Sequence, residues 1–404
     1  MNLELFNNVQ FIYELALAEL ELSAMGVDYS VGSSLRTFTG PNDIDVENLQ
    51  KRAAYFQAVD GKTTDYTHLV SRNITRSPNQ YLTHWIYPYK GKYHPQMIRA
   101  LLNVIGAEPG NIILDPFIGS GTTALECQLL GIDSIGTDVS QVCSLISKVK
   151  TESIEVLDEI EAMKEEVYKG FQDKTLFDFD GDQYKKKDSG NNILEEVTNE
   201  KVKNFYKVAE LIAHSDRSRR RKKDFFQSFK KNVEKMITST RDFKEVVEEL
   251  ELALGKVQIG IGDARNLELK DNSIDGIITS PPYSIALDYV KNDAHSLSAL
   301  GYDLDKVKED FIGVRGSGKT KVDLYNNDME KSYQEMNRVL KDGMKCVIVI
   351  GNATIQGQEV ATVDMTINCF EKMGFTLEKN MDKIIFGLYN VMQRENILIF
   401  KKSE

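Results

Sequence analysis

Two short strings carry residues that can do chemistry. The first, Asp115 to Thr123, reads DPFIGSGTT. It follows the apolar run NIILD (111–115), which reads as a buried strand. It precedes TALECQLLG, which reads as a helix closed by Gly131. Gly119 and Gly121 let backbone approach a ligand closely, and the helix start behind them offers unpaired N–H groups to an anion. A lone G-x-G also fits any plain nucleotide-binding turn. The second string, Thr279 to Tyr283, reads TSPPY and follows the strand-like IDGIIT. Consecutive prolines make an extended, rigid turn without N–H donors, whose carbonyls stay available as acceptors.

Taken whole, DPFIGSGTT resembles the cofactor loop of the DNA amino-methyltransferases, in which DPFxGSGTT recurs. Ser280, Pro281, Pro282 and Tyr283 resemble the catalytic motif of the same family: Asp, Asn or Ser, two prolines, then an aromatic residue. Just upstream, YPYKGKYHPQMIRALL (Tyr87 to Leu102) resembles the segment that closes over the cofactor's methionine end. The resemblance spans residues 80–150 and 256–401. It implies S-adenosylmethionine as cofactor, held by Tyr93, His94, Asp115, Pro116, Phe117, Gly119, Ser120, Gly121 and Thr122. It also implies that Asp138 receives the ribose hydroxyls and that Asp263 faces the adenine amino group. In isolation, Asp138 or Ser140 reads equally as a helix N-cap, and Asp263 as a turn residue. His94 reads as a structural residue rather than a base.

An amino group conjugated to a base ring is a poor nucleophile, because its lone pair is delocalised. Acceptors for both amino hydrogens let the nitrogen pyramidalise and attack a methyl on sulfonium. The Ser280 oxygen and the Pro281 carbonyl suit that task, and Tyr283 suits stacking on an everted base. Such stacking is worth roughly 1–3 kcal/mol per base, comparable with the few kcal/mol of flipping. Within the family, Ser at the first position is commonest among cytosine-N4 enzymes, whereas Asp or Asn is usual for adenine N6. The resemblance therefore implies a site-specific DNA methyltransferase acting on cytosine N4. Adenine N6, or an RNA or protein amino group, is the alternative. Carbon-5 methylation needs a cysteine nucleophile, typically after proline, and no cysteine here follows a proline.

Two further strings need separate treatment. GVRGSGKT (Gly313 to Thr320) matches the P-loop pattern, but a charged helical segment precedes it where a buried strand is required. It reads instead as a Gly-rich loop whose Arg315 and Lys319 touch phosphate. The net charge of −11 repels nucleic acid, so DNA binding requires a local basic region. Residues 201–244 hold 14 Lys/Arg against 5 Asp/Glu, a balance of +9. Arg219, Arg220, Arg221 and Lys222 lie at its centre as candidate phosphate contacts, interleaved with Phe225, Phe226 and Phe229. A solvated helix face with a small apolar seam explains the same letters.

The elements that must position these residues read as α/β. Beyond NIILD come strands at DSIGTD (133–138), KVQIGIGDAR (256–265), IDGIITSPPY (274–283) and MKCVIVIGN (344–352), with late strands near 376–387 and 395–401. Helices are expected at 4–25, at 325–341 and at 361–373. The predicted fold is a Rossmann-like methyltransferase fold: a mostly parallel seven-stranded sheet with a late antiparallel strand. Residues 81–150 and 256–404 form its catalytic domain. Residues 151–255 form a mainly helical insertion, a candidate target-recognition region, with a loop at 172–193. Residues 1–80 are helical or mixed. Four scattered cysteines and a Glu-rich N-terminus fit a cytoplasmic protein without disulfides, a metal site or a membrane segment. Double-stranded DNA is the expected partner, and a restriction endonuclease would be encoded separately. The oligomeric state is not legible.

Overall fold

The computed structural model describes residues 1–41, 45–75, 77–89, 91–177, 193–219, 224–282, 290, 294–355, 358–386 and 392–404. The first elements are β1 (Asn2–Leu5), α1 (Ile12–Ala24), β2 (Ser30–Val31), β3 (Thr37–Thr39), α2 (Val46–Arg52), β4 (Phe56–Val59), β5 (Lys62–Thr63) and α3 (Asp65–Ser71). The strands form a small sheet ordered β2-β3-β1-β4-β5. This differs from the expected helix over 4–25. Leu3 and Leu5 are fully buried on one face of a strand, and the helix begins only at Ile12. Buried Glu21 ties α1 down. It accepts from the backbone N–H of Ala54 and Tyr55 at 3.0 and 2.9 Å and from Asn103 at 3.1 Å.

The chain then runs α4 (Pro95–Val104), β6 (Ile112–Asp115), α5 (Thr122–Leu129), β7 (Asp133–Asp138), α6 (Gln141–Glu152), α7 (Leu157–Phe177), α8 (Ile193–Glu196), α9 (Glu200–Arg219), α10 (Phe225–Glu249), β8 (Val257–Ile261) and β9 (Ile274–Thr279). Next come α11 (Ala294–Ala299), α12 (Leu304–Asp310), α13 (Gly318–Val339), β10 (Leu340–Ile350), β11 (Ala353–Ile355), β12 (Gln358–Val360), α14 (Thr362–Lys372), β13 (Phe375–Phe386) and β14 (Met392–Lys402). The main sheet has seven strands in the order β13-β14-β10-β9-β6-β7-β8. β14 is antiparallel to both its neighbours, and the run from β10 to β8 is parallel. The predicted fold class is therefore the observed one.

Alternate residues of the central strands enter opposite cores. Ile113, Ile278, Val347, Val349, Ile397 and Ile399 pack with α4 and the N-terminal unit. Leu114, Ile277, Cys346, Ile348, Leu398 and Phe400 pack against α13 and α14. Burial on both faces is why these strands read as continuous apolar runs. The helices of the insertion are not a detached lobe. They share a third core with α6 and with Ile86 and Tyr87 of the segment before α4. The expected loop at 172–193 is helical up to Phe177, and its remainder up to 192 lies outside the described residues. α13 starts at Gly318 rather than near 325. No described helix is long and apolar enough to cross a membrane.

Candidate active site

After β6 the chain continues to β7 and β8 on one side of it, then returns to place β9 on the other. The crevice beyond the carboxyl ends of β6 and β9 is thus the topological switch point, where open α/β sheets bind ligands. β6 ends at Asp115 and β9 at Thr279, which brings DPFIGSGTT and TSPPY together. The Thr279 hydroxyl donates to Asp115 Oδ1 at 2.6 Å. The Thr123 hydroxyl donates to Oδ2 at 2.7 Å, and the Phe117 N–H to Oδ1 at 3.2 Å. Asp115 is fully buried, and burial raises its carboxyl to about 6 against the pull of these three donors. It joins the strand end, the loop and the start of α5 to the proline turn.

The loop needs its glycines. Gly119 and Gly121 have φ of 50° and 77°, the left-handed region. A Cβ on Gly121 would lie 2.8 Å from Ser147 Oγ, and one on Gly119 would lie 3.3 Å from the Tyr89 ring. α6 holds the loop from behind. The Ser147 hydroxyl donates to the Gly119 carbonyl at 3.2 Å, and the Lys150 ammonium to the Ser120 carbonyl at 2.7 Å. Lys150 is fully buried, and that burial pushes its pKa well down. Lys92 donates to the His84 carbonyl, and burial lowers it to about 7.

Among the described residues, the loop leaves hydrogen-bond donors unanswered at the start of α5. Gly121 caps α5 without a side-chain acceptor for the first-turn N–H groups. Beside them the Thr122 hydroxyl is buried without a hydrogen-bond partner among the described residues. Donors so grouped at a helix start match a carboxylate. Asp138 ends β7. Its Oδ2 accepts the Gly119 N–H at 3.1 Å and its Oδ1 the Ser140 N–H at 2.9 Å. Ser140, not Asp138, caps α6.

The remaining predicted residues fall as follows. Tyr93 is half-buried against the core beneath α4. His94 is the N-cap of α4, and burial lowers its pKa to about 4, which keeps the ring neutral. Pro116 is buried and Phe117 half-buried. Asp263 forms a bidentate pair with Arg265, whose Nε lies 2.9 and 3.0 Å from its two oxygens. Burial acts to raise the Asp263 pKa, but the Arg265 hydrogen bonds prevail and lower it. Ser280 and Pro282 are half-buried and Pro281 is buried. Tyr283, Arg220, Arg221 and Lys222 lie outside the described residues, as does the Arg219 side chain.

Arg315 is not poised alone for phosphate: it pairs with Asp328, which also meets Arg265 at 3.2 Å. Lys319 is exposed in the first turn of α13. The segment before the P-loop-like string is the helix α12, so the strand that nucleotide binding would require is missing there. Of the interleaved phenylalanines, Phe229 is fully buried and stacks on Phe171 at 4.1 Å, so it belongs to the apolar seam. Sequence reasoning assigns no role to Thr123, Thr279, Ser147, Lys150 or Tyr325. Thr123 and Thr279 stand inside the recognised strings; the others carry no local signal.

Residues 46–149 match the family model described as DNA methylase. The Type II methyltransferase M.BsoBI of Geobacillus stearothermophilus is 26% identical over 314 residues, 65% of this chain and 61% of that protein. The Type II methyltransferase M.MjaII of Methanocaldococcus jannaschii is 46% identical over 77 residues, 18% of this chain and 14% of that protein. The chain thus spans less than two thirds of either relative. A SAM-dependent methyltransferase structure from Methanosarcina mazei aligns at a TM-score of 0.32 and 11% identity, covering 72% of this chain and 92% of that one. The match to the DNA methylase model spans the glycine loop, and the hydrogen bond from Thr279 to Asp115 sets the proline turn beside that loop.

Proposed function

We propose that this chain methylates DNA at the exocyclic amino group of a base, and that the base is cytosine, at N4. The observation that carries the reading is the 2.6 Å hydrogen bond from Thr279 to Asp115, which sets the proline turn beside the glycine loop. Bound S-adenosylmethionine supplies an electrophilic methyl group on sulfonium. Gly119, Gly121 and Thr122 seat its methionine end, Asp138 the ribose, and Asp263 with its Arg265 partner lies on the adenine side. The Ser280 oxygen and the Pro281 carbonyl accept the two amino hydrogens, which frees the nitrogen lone pair for attack. Tyr283 stacks on the everted base. The proton released leaves to water, so His94, held neutral by burial, need not act as a base. Ser at position 280 supports cytosine N4 over adenine N6.

The basic helices α9 and α10, with Arg219, Arg220, Arg221 and Lys222 at their junction, are assigned to phosphate contact by the recognition region. Phosphate contacts position a protein on DNA, whereas base-edge contacts specify sequence. A separately encoded restriction endonuclease is the partner that a Type II role would bring.

Ser280→Ala is the test. Single-turnover methyl transfer to DNA should fall about a hundredfold, as for loss of one stabilising donor or acceptor at a reacting group. Cofactor affinity by calorimetry should hold. Equal loss of both would remove Ser280 from the catalytic role.

A further inference from the structure

A turn made of two prolines cannot anchor itself. Pro281 and Pro282 have no N–H, so donors from elsewhere must fix their carbonyls. One such donor is present. The hydroxyl of Tyr325, on α13, donates to the Pro282 carbonyl at 2.9 Å. Tyr325 is 1% exposed and packs in the core beneath the sheet with Ile312 and Met329. At the other end of the turn, Thr279 is fixed to Asp115. The two hydroxyls therefore bracket Ser280 and Pro281.

α13 is itself braced. One turn beyond Tyr325, Asp328 receives Arg315 from the Gly-rich loop and Arg265 from the turn after β8. Arg265 in turn holds Asp263. The string GVRGSGKT is thus the entry to a strut that touches the catalytic turn and the adenine-side loop together.

We propose that Tyr325 is a positioning residue for methyl transfer. By holding the Pro282 carbonyl it sets the spacing of the Ser280 and Pro281 oxygens that receive the amino hydrogens. The inference rests on the methyl-transfer reading above.

The test compares Tyr325→Phe with Tyr333→Phe in the full chain. Tyr333 is a second buried tyrosine of α13, whose hydroxyl pairs with Thr366 at 2.9 Å, away from the turn. Both variants keep ring volume and lose one buried hydroxyl. With S-adenosylmethionine and duplex DNA, Y325F should lower kcat about tenfold while KM for S-adenosylmethionine holds. Y333F should keep the native kcat at a similar loss of thermal midpoint. If both variants lose kcat equally, or Y325F keeps it, Tyr325 is merely structural and the inference falls while methyl transfer stands. If the native chain transfers no methyl to DNA, the underlying reading fails and the inference fails with it.

Discussion

Thr279→Val removes one hydroxyl from a fully buried side chain and keeps its branched shape. In the native protein that hydroxyl donates to Asp115 Oδ1 at 2.6 Å, inside a site that burial holds at about 6. Above that pH the acceptor is a carboxylate, and such a bond is worth about 1.5–3 kcal/mol; below it the bond joins neutral groups and is worth about 1 kcal/mol. The variant should therefore lose about 2 kcal/mol at pH 8 and about half of that at pH 5. The sign follows from linkage. The folded-state pKa of Asp115 lies above its ordinary 3.8, so its favourable contribution is complete below that value and is lost as pH rises through about 6. Removing a donor raises the folded pKa further and widens the gap to native on the alkaline side. Denaturant unfolding at pH 5 and pH 8, with Thr279→Ser as the hydroxyl-retaining control, reads this directly. Equal gaps at both pH values would refute the argument, as would a T279V protein that transfers methyl at the native rate.

Two more outcomes follow from the loop and the basic helices. Gly121→Ala forces a Cβ to within 2.8 Å of Ser147 Oγ at a φ of 77°. Affinity for S-adenosylmethionine, by calorimetry, should weaken about tenfold or more, since such strain costs of order 1–3 kcal/mol; unchanged affinity would separate the loop from the cofactor. Replacing Arg219, Arg220 and Arg221 together by Gln should reduce the slope of log affinity for DNA against log salt by about 2 to 3, near one for each phosphate that the variant no longer neutralises. An unchanged slope removes that junction from the interface.

The strands of the main sheet are legible because burial on both faces writes them as apolar runs. DSIGTD matches β7 to the residue, NIILD starts one residue before β6, and IDGIITSPPY starts with β9 but runs past its end at Thr279. The N-terminal sheet is not legible. Its strands are two to four residues long, β2 is exposed, and Leu3 and Leu5 continue into the helical period of α1 without a break. The start of α13 is hidden for a similar reason. Its first turns, Gly318 to Leu324, are mostly solvated, and the apolar stripe begins only at Tyr325. In the site, the two chemical strings can be found from their letters, because a glycine loop and a proline turn are local backbone devices. Their coupling cannot. Asp115 meets Thr279 across 164 positions, and Tyr325 meets Pro282 across 43. Such partners are set by which strands lie side by side, which no single window of sequence records. Asp263 and Arg315 read in the sequence as groups facing ligand, and the fold pairs each with a nearby opposite charge.

The most direct measurement incubates the chain with methyl-labelled S-adenosylmethionine and a mixture of duplex DNA and RNA, then digests each to nucleosides. Label in N4-methylcytosine from the DNA is the outcome expected here. Label in N6-methyladenine would overturn the choice of base, and label confined to RNA, or to neither polymer, would contradict DNA methylation itself.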